Sequence, residues 1–274
     1  MPDDSSPIAT ALALFQSGEL AAAEKSCRET LSRDEGNAEA WHLLGVIAHR
    51  AGRNDIAIRH VRQAVALAPD SASFHNTLGY LLRIAGQYSD AVALLEKAIA
   101  LQPDYADAFN NLGIAHAESG ALEAAEKAYR TALQQRPDFP EVQNNLGNLM
   151  YRMGRVDESL AAFEAATTLR PDYAEAHSNR GDAFLNQGDI PAAIDAFSKA
   201  VKIAPNWANG WYKLGNAMFQ GEQIGNALKA YQRSIDLNPN QMRCLTNLGA
   251  TLEKLGRYEE AAMMLRHALV MMPE

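Results

Sequence analysis

The stretch "FNNLGIAHAESG", Phe109 to Gly120, returns thirty-four residues later as "QNNLGNLMYRMG", Gln143 to Gly154. Asn-Asn-Leu-Gly keeps its register although asparagine is a mediocre helix former and glycine a poor one. Working outward, Gly45, Gly79, Gly113, Gly147, Gly181, Gly215 and Gly249 stand 34 residues apart, as do Pro69, Pro103, Pro137, Pro171, Pro205, Pro239 and Pro273. Leucine precedes the glycine at 44, 78, 112, 146, 214 and 248, with Arg180 the single departure. Small residues recur from Ala57 to Ala261 and from Ala64 to Ala268, again every 34. A fixed period of this length marks a repeat architecture whose units each form one supersecondary motif.

Each unit reads as two helices, A and B. In the third, A covers roughly Asp107 to Ser119, Gly120 turns the chain, and B runs from about Leu122 to Gln135 before Pro137 stops it. Asp104, Asp138 and Asp172 lie three residues before Asp107, Glu141 and Glu175, which predicts a capping box at the start of A. Glycine at the eighth position of each unit predicts a close approach between helices, where a larger residue overpacks by about 1–3 kcal/mol. Leu95, Tyr129, Phe163, Phe197 and Tyr231, four residues after a recurrent small one, are predicted to pack between hairpins.

With Trp41, Leu44, Gly45, Ala57, Ala64 and Pro69 at their offsets, the chain resembles the tetratricopeptide repeat family. The resemblance implies an all-α, right-handed superhelical solenoid of stacked antiparallel helix pairs, with the A helices lining a concave groove. Its units are 38–71, 72–105, 106–139, 140–173, 174–207, 208–241 and 242–274. Residues 1–37 read as a degenerate N-terminal hairpin, with Gly18, Ala23 and Cys27 in phase but Ala11 and Glu35 in place of the glycine and proline. The tryptophan slot holds His75, Phe109, Gln143, His177 and Leu245 in other units, and Glu222 replaces a turn glycine. Leu265, Leu269 and Met272 lack a following hairpin, so the expectation there is another chain or further polypeptide.

The net charge of −8 offers no basic footprint for nucleic acid. "MPDDSSPIATALALF" lacks the basic region of a secretory signal, and no apolar run reaches a membrane span, so no membrane insertion and a cytoplasmic location are expected. Cys27 and Cys244 are too few for a disulfide framework or a Cys-based zinc site. His42 and His49 stand seven apart on one helix, which specifies no paired metal ligands, and His75 and His177 occupy packing slots. No phosphate loop, nucleophile elbow or HExxH motif is present, so neither catalytic residues nor a cofactor is expected.

With packing at the fourth, seventh, eighth and eleventh positions of A, the remaining stripe falls at the second, fifth, sixth, ninth, twelfth and thirteenth. That stripe carries Asn110, Asn111, Asn144 and Asn145, and with them Asn76, Asn148, Asn179, Asn186, Asn209, Asn216 and Asn247. An amide donates and accepts at once, so a row of amides suits the backbone of an extended peptide. The row is similar to that in the repeat region of O-linked N-acetylglucosamine transferases, which implies a protein or peptide segment as partner. The same amides can instead bond to one another or to water. Tyr80, Tyr151, Tyr212 and Phe219 flank them as candidate aromatic anchors. Lys213, Asn216, Arg243 and Asn247 come nearest to a two-carboxylate clamp, but in a different order along the units. The expectation is a non-catalytic interaction scaffold. Its alternatives are the substrate-binding repeat region of a larger glycosyltransferase and a self-assembling module that forms a homo-oligomer through its last hairpin.

Overall fold

The computed structural model describes residues 7–270, and among them every regular element is an α-helix. Met272 and Pro273, singled out above, lie outside the described residues. One compact unit, residues 1–137, contains α1 (Pro7–Gln16), α2 (Leu20–Arg33), α3 (Ala38–Arg50), α4 (Asn54–Leu67), α5 (Ala72–Ile84), α6 (Tyr88–Leu101), α7 (Ala106–Ser119) and α8 (Leu122–Gln135). The other, residues 138–274, contains α9 (Pro140–Arg152), α10 (Val156–Leu169), α11 (Ala174–Gln187), α12 (Ile190–Ile203), α13 (Ala208–Gln220), α14 (Ile224–Leu237), α15 (Met242–Lys254) and α16 (Tyr258–Val270). Odd-numbered helices are A and even-numbered are B. Within each unit A packs on its own B, and B also packs on the next A, which makes each unit an all-α helical repeat solenoid.

The helix-to-helix spacing is set by what is missing. A Cβ placed on Gly147 would lie 2.6 Å from two ring carbons of Phe163, and one on Gly113 would lie 2.5 Å from Tyr129 Cε1. The same contact joins Gly45 to Val61, Gly79 to Leu95, Gly181 to Phe197, Gly215 to Tyr231 and Gly249 to Leu265. The large residue of each B helix thus lies against the glycine of its own A helix. The contact expected between hairpins is present as well, since Leu95 shares a core cluster with Leu112 and Ala115 of the next A helix. The two rows of small residues on B are at most 5 % exposed throughout, so they mark the floor of the interior.

Chain reversals follow equally local rules. The residue before each described recurrent proline leaves α geometry and ends helix B, extended at Gln102, Arg136, Arg170 and Asn238, because the pyrrolidine ring disfavours α geometry in its predecessor. Glycines 18, 52, 86, 120, 154, 188 and 256 take positive φ at the A-to-B turns, and in the sixth repeat Glu222 takes φ +57° in their place. The capping box does not form. Tyr105, Phe139 and Tyr173 sit at the N-caps of α7, α9 and α11 with no side-chain cap bond. Asp107 instead pairs with Arg136 at 2.6 Å and Glu141 with Arg170, each guanidinium standing at the end of the same hairpin's B helix. Side-chain caps do occur at Asn37, Ser71 and Asp189, on α3, α5 and α12.

Both cysteines are buried and unbonded, and burial pushes each thiol up to about 11. Leu265, read as lacking a partner, is used by its own hairpin against Gly249, whereas Leu269 is 62 % exposed. No helix among the described residues is long and apolar enough to cross a membrane.

Two substitutions separate these constraints. Gly147→Ala forces a Cβ against a fully buried Phe163, and overpacking of about 1–3 kcal/mol set against about 1 kcal/mol of helix propensity gives a net loss on urea unfolding that Phe163→Leu partly restores. Glu222→Gly removes a left-handed strain of about 1–2 kcal/mol at an entropic cost of about 0.5–1 kcal/mol. A higher thermal midpoint is the expected result, and a lower one shows that Glu222 is held by something other than its turn.

Candidate functional site

The outward stripe of the A helices is crossed by polar rungs. Each joins the fifth residue of one A helix to the sixth residue of the next, thirty-five positions on. In the first unit His42 Nε2 meets Thr77 Oγ1 at 2.9 Å, and Asn111 Nδ2 donates to Asn76 Oδ1 at 2.8 Å. In the second, Asn179 Nδ2 donates to Asn144 Oδ1 at 2.9 Å, Lys213 Nζ to Ser178 Oγ at 3.3 Å, and Asn247 Nδ2 to the Tyr212 hydroxyl at 3.5 Å. Asn247 also donates to Asn216 Oδ1 at 2.8 Å, which accepts the Tyr231 hydroxyl as well, at 2.8 Å. Burial raises the pKa of that phenol. A polar group between helices needs a partner, and here the neighbouring repeat supplies it.

These bonds correct one placement. Asn144 is 1 % exposed, so it belongs to the helix interface and not to the open stripe. Its oxygen is taken by Asn179, whose helix covers it. Asn76, Asn110, Asn111, Asn145, Asn148, Asn179, Asn216 and Asn247 are half-buried along the A helices, while Asn186 and Asn209 are exposed. Asn111, Asn179 and Asn247 spend their NH2 groups on the preceding A helix, and among the described residues nothing donates to their Oδ1 atoms. Each of these three asparagines therefore keeps an acceptor in reserve.

The flanking aromatics differ in commitment. Tyr80 places its hydroxyl 3.3 Å from His49 Nε2, its ring edge-to-face with that imidazole and beneath the Arg83 guanidinium. Tyr151 is 37 % exposed, and Phe219 lies under Lys254 Nζ at 4.6 Å. Lys213, the lysine of the clamp-like group, is paired with Asp182 at 2.5 Å, so its charge is already met within the chain. Burial raises the Asp182 pKa and Lys213 opposes the rise.

The histidines in the tryptophan slot are structural. Trp41 and Trp211 each donate the indole N–H to the carbonyl six residues back, at 2.9 Å, and His177 Nε2 does the same to Pro171 at 3.0 Å. Among the described residues no group of three His, Cys, Asp or Glu side chains is arranged to hold a metal ion. Two cavities open beside the stripe. One of about 400 Å³ borders Asn216, Phe219, Tyr231 and Asn247, and one of about 530 Å³ lies between α1, α3 and α5. Sequence reasoning missed Thr77, Ser178 and Asp182, and it considered His42 only as a metal ligand. The signal that finds Thr77 and Ser178 is polar residues recurring at 35 where the fold recurs at 34, whereas Asp182 pairs with Lys213 at a separation of 31.

Lys213→Met tests the one charged rung. At neutral pH it leaves the Asp182 carboxylate half-buried without its cation, at a cost of about 1–2 kcal/mol. Because burial already raises this pKa, protonation relieves the variant, so the penalty is full above the carboxylate range and shrinks as pH falls through it. A penalty independent of pH in thermal melts removes Asp182 from the account.

A tetratricopeptide repeat family model matches residues 8–72, 48–89 and 144–206. A TPR repeat model matches 79–120 and 115–154, and a model described as anaphase-promoting complex, cyclosome, subunit 3 matches 186–268. No curated protein matches the chain by sequence. Among solved structures, MamA is 26 % identical with a TM-score of 0.56, over 58 % of this chain and 94 % of that one. A structure of the APC/C hetero-tetramer Cut9-Hcn1 is 18 % identical with a TM-score of 0.66, over 98 % of this chain and 53 % of that one. YrrB, described as a TPR protein with an unusual peptide-binding site, is 21 % identical with a TM-score of 0.55, over 68 % of this chain and 95 % of that one.

Proposed function

The chain belongs to the tetratricopeptide repeat family, and on that premise we propose that it is a non-catalytic scaffold that holds a segment of another protein against its A helices. One observation carries the reading. In the second compact unit Asn179 and Asn247 stand 68 residues apart, each held by a bond to the preceding A helix and each with an uncommitted Oδ1, and Asn111 repeats the arrangement within the first unit. Amides fixed in this way lose little rotamer freedom on binding, so hydrogen bonds to backbone N–H groups of a ligand come at a reduced entropic cost. Backbone recognition by such a row is tolerant of ligand sequence, and side-chain selectivity falls to the aromatics and cavities beside it. The peptide-binding site that gives YrrB its description is a precedent within the fold.

The test separates binding from folding. Asn111→Ala with Asn179→Ala removes two acceptors and also two inter-helix bonds, so the variant is expected to lose about 1 kcal/mol of stability per site while keeping its helical circular dichroism. A segment captured from the native host and measured by calorimetry is expected to bind about 2- to 12-fold more weakly per site lost. Unchanged affinity in a folded variant refutes the amide row as the ligand contact and leaves the rungs as structure alone.

A further inference from the structure

The cavity between α1, α3 and α5 has no asparagine in its lining. Its walls are Ile8, Leu12, Phe15, Leu43, Val46 and Phe74, and two polar side chains, Glu39 and His42, reach its lining. A volume of about 530 Å³ falls in the range of about 300–1,000 Å³ typical of ligand sites, and so does the composition, apolar walls with few polar groups. Leu12, in the same lining as buried Leu43 and Phe74, keeps 46 % of its surface open to solvent.

His42 is oriented by its surroundings. Its ring stacks on Phe74 with centroids 4.5 Å apart, and its Nε2 lies 2.9 Å from Thr77 Oγ1. The Thr77 hydroxyl has one proton, and that proton goes to the Ser73 carbonyl at 2.9 Å. Nε2 must therefore carry the hydrogen and Thr77 must accept it, which leaves Nδ1 as an acceptor to which nothing among the described residues donates. Burial holds the imidazole pKa down to about 4, so the ring stays uncharged through the neutral range. Arg50, which is not part of the lining, lies over the Phe15 ring, 5.1 Å from its centroid, and donates to the Phe15 carbonyl at 3.2 Å, so its donors are turned to the protein. An anionic ligand would meet Glu39 in the lining.

We infer that this cavity receives a tryptophan side chain of the bound segment, its ring between the apolar walls and its indole N–H donated to His42 Nδ1. Tryptophan combines a large apolar ring with a single donor and no acceptor, which is the complement of a wall that presents acceptors only. The inference rests on the A-helix stripe being the ligand-binding face. It adds an anchor that fixes where on the stripe the segment sits, as buried aromatics do at other interfaces.

The test uses the whole chain and small probes, so it does not depend on a captured partner. N-acetyl-tryptophanamide, its 1-methylindole analogue and N-acetyl-phenylalaninamide are titrated against the 15N-labelled protein. Saturable shifts confined to α1, α3 and α5 are expected for the tryptophan amide, with affinity about fivefold above both other probes. His42→Phe keeps the ring and the stacking but removes the acceptor, and should bring the tryptophan amide and its methylated analogue to equal affinity. Asn111→Ala with Asn179→Ala should leave the preference intact, so failure of the amide row and failure of this pocket are distinguishable. Absence of saturable binding at the probe's solubility limit, equal binding of the methylated probe to the unaltered protein, or a preference that survives His42→Phe each overturns the assignment.

Discussion

A hydrogen atom in the place of a side chain, seven times over, is the constraint on which the rest depends. With glycine at the eighth position of each A helix, the large residue of the B helix, Tyr129, Phe163 or Phe197, occupies the space a Cβ there would need. Dispersion contacts of this kind are individually weak and collectively large, and they come at the distance that glycine permits. The two rows of alanine and serine on B, at most 5 % exposed, are the counterpart of that closeness. Once A and B are locked, the orientation of each A helix is no longer free, and the residues on its outward stripe are presented at a fixed angle. The polar rungs are a consequence of the glycine row.

The rungs also explain why asparagine is acceptable in the middle of so many helices. In isolation its short amide competes for backbone bonds and weakens the helix. Between two A helices the same amide finds a partner thirty-five residues away, as Asn179 does in Asn144. Propensity is overridden by a tertiary bond. The rungs are not interchangeable, however. Thr77, Lys213 and Tyr212 take places that asparagine fills elsewhere, so the chemistry of the stripe varies along each unit while its geometry does not.

How far the sequence alone reached depends on whether a feature obeys the period. The glycine, proline and small-residue rows repeat at 34, and their burial and turns follow from residue type. The capping box failed because an acid three residues after another acid is equally suited to an ion pair, and Arg136 and Arg170 stood twenty-nine residues downstream of Asp107 and Glu141. The stripe was legible, but its edge was not. Helical periodicity places Asn144 and Asn145 side by side on the boundary between interface and solvent, and only the packing of α11 decides that Asn144 is the buried one. The cavity beside His42 was beyond sequence reasoning, because it forms from three A helices whose residues share no motif.

The ring N–H bonds in the tryptophan slot make the chain a carrier of its own spectroscopic labels. Of the three tryptophans, Trp41 is in the first compact unit and Trp207 and Trp211 are in the second. Trp41 and Trp211 are each tethered to a carbonyl six residues back, so loss of either hairpin releases its indole into water and changes its emission. Replacing Trp207 and Trp211 with phenylalanine silences one unit, and replacing Trp41 silences the other. A denaturation followed in the two singly reporting chains then resolves whether stability is lost in one cooperative step or spreads along the array from one end.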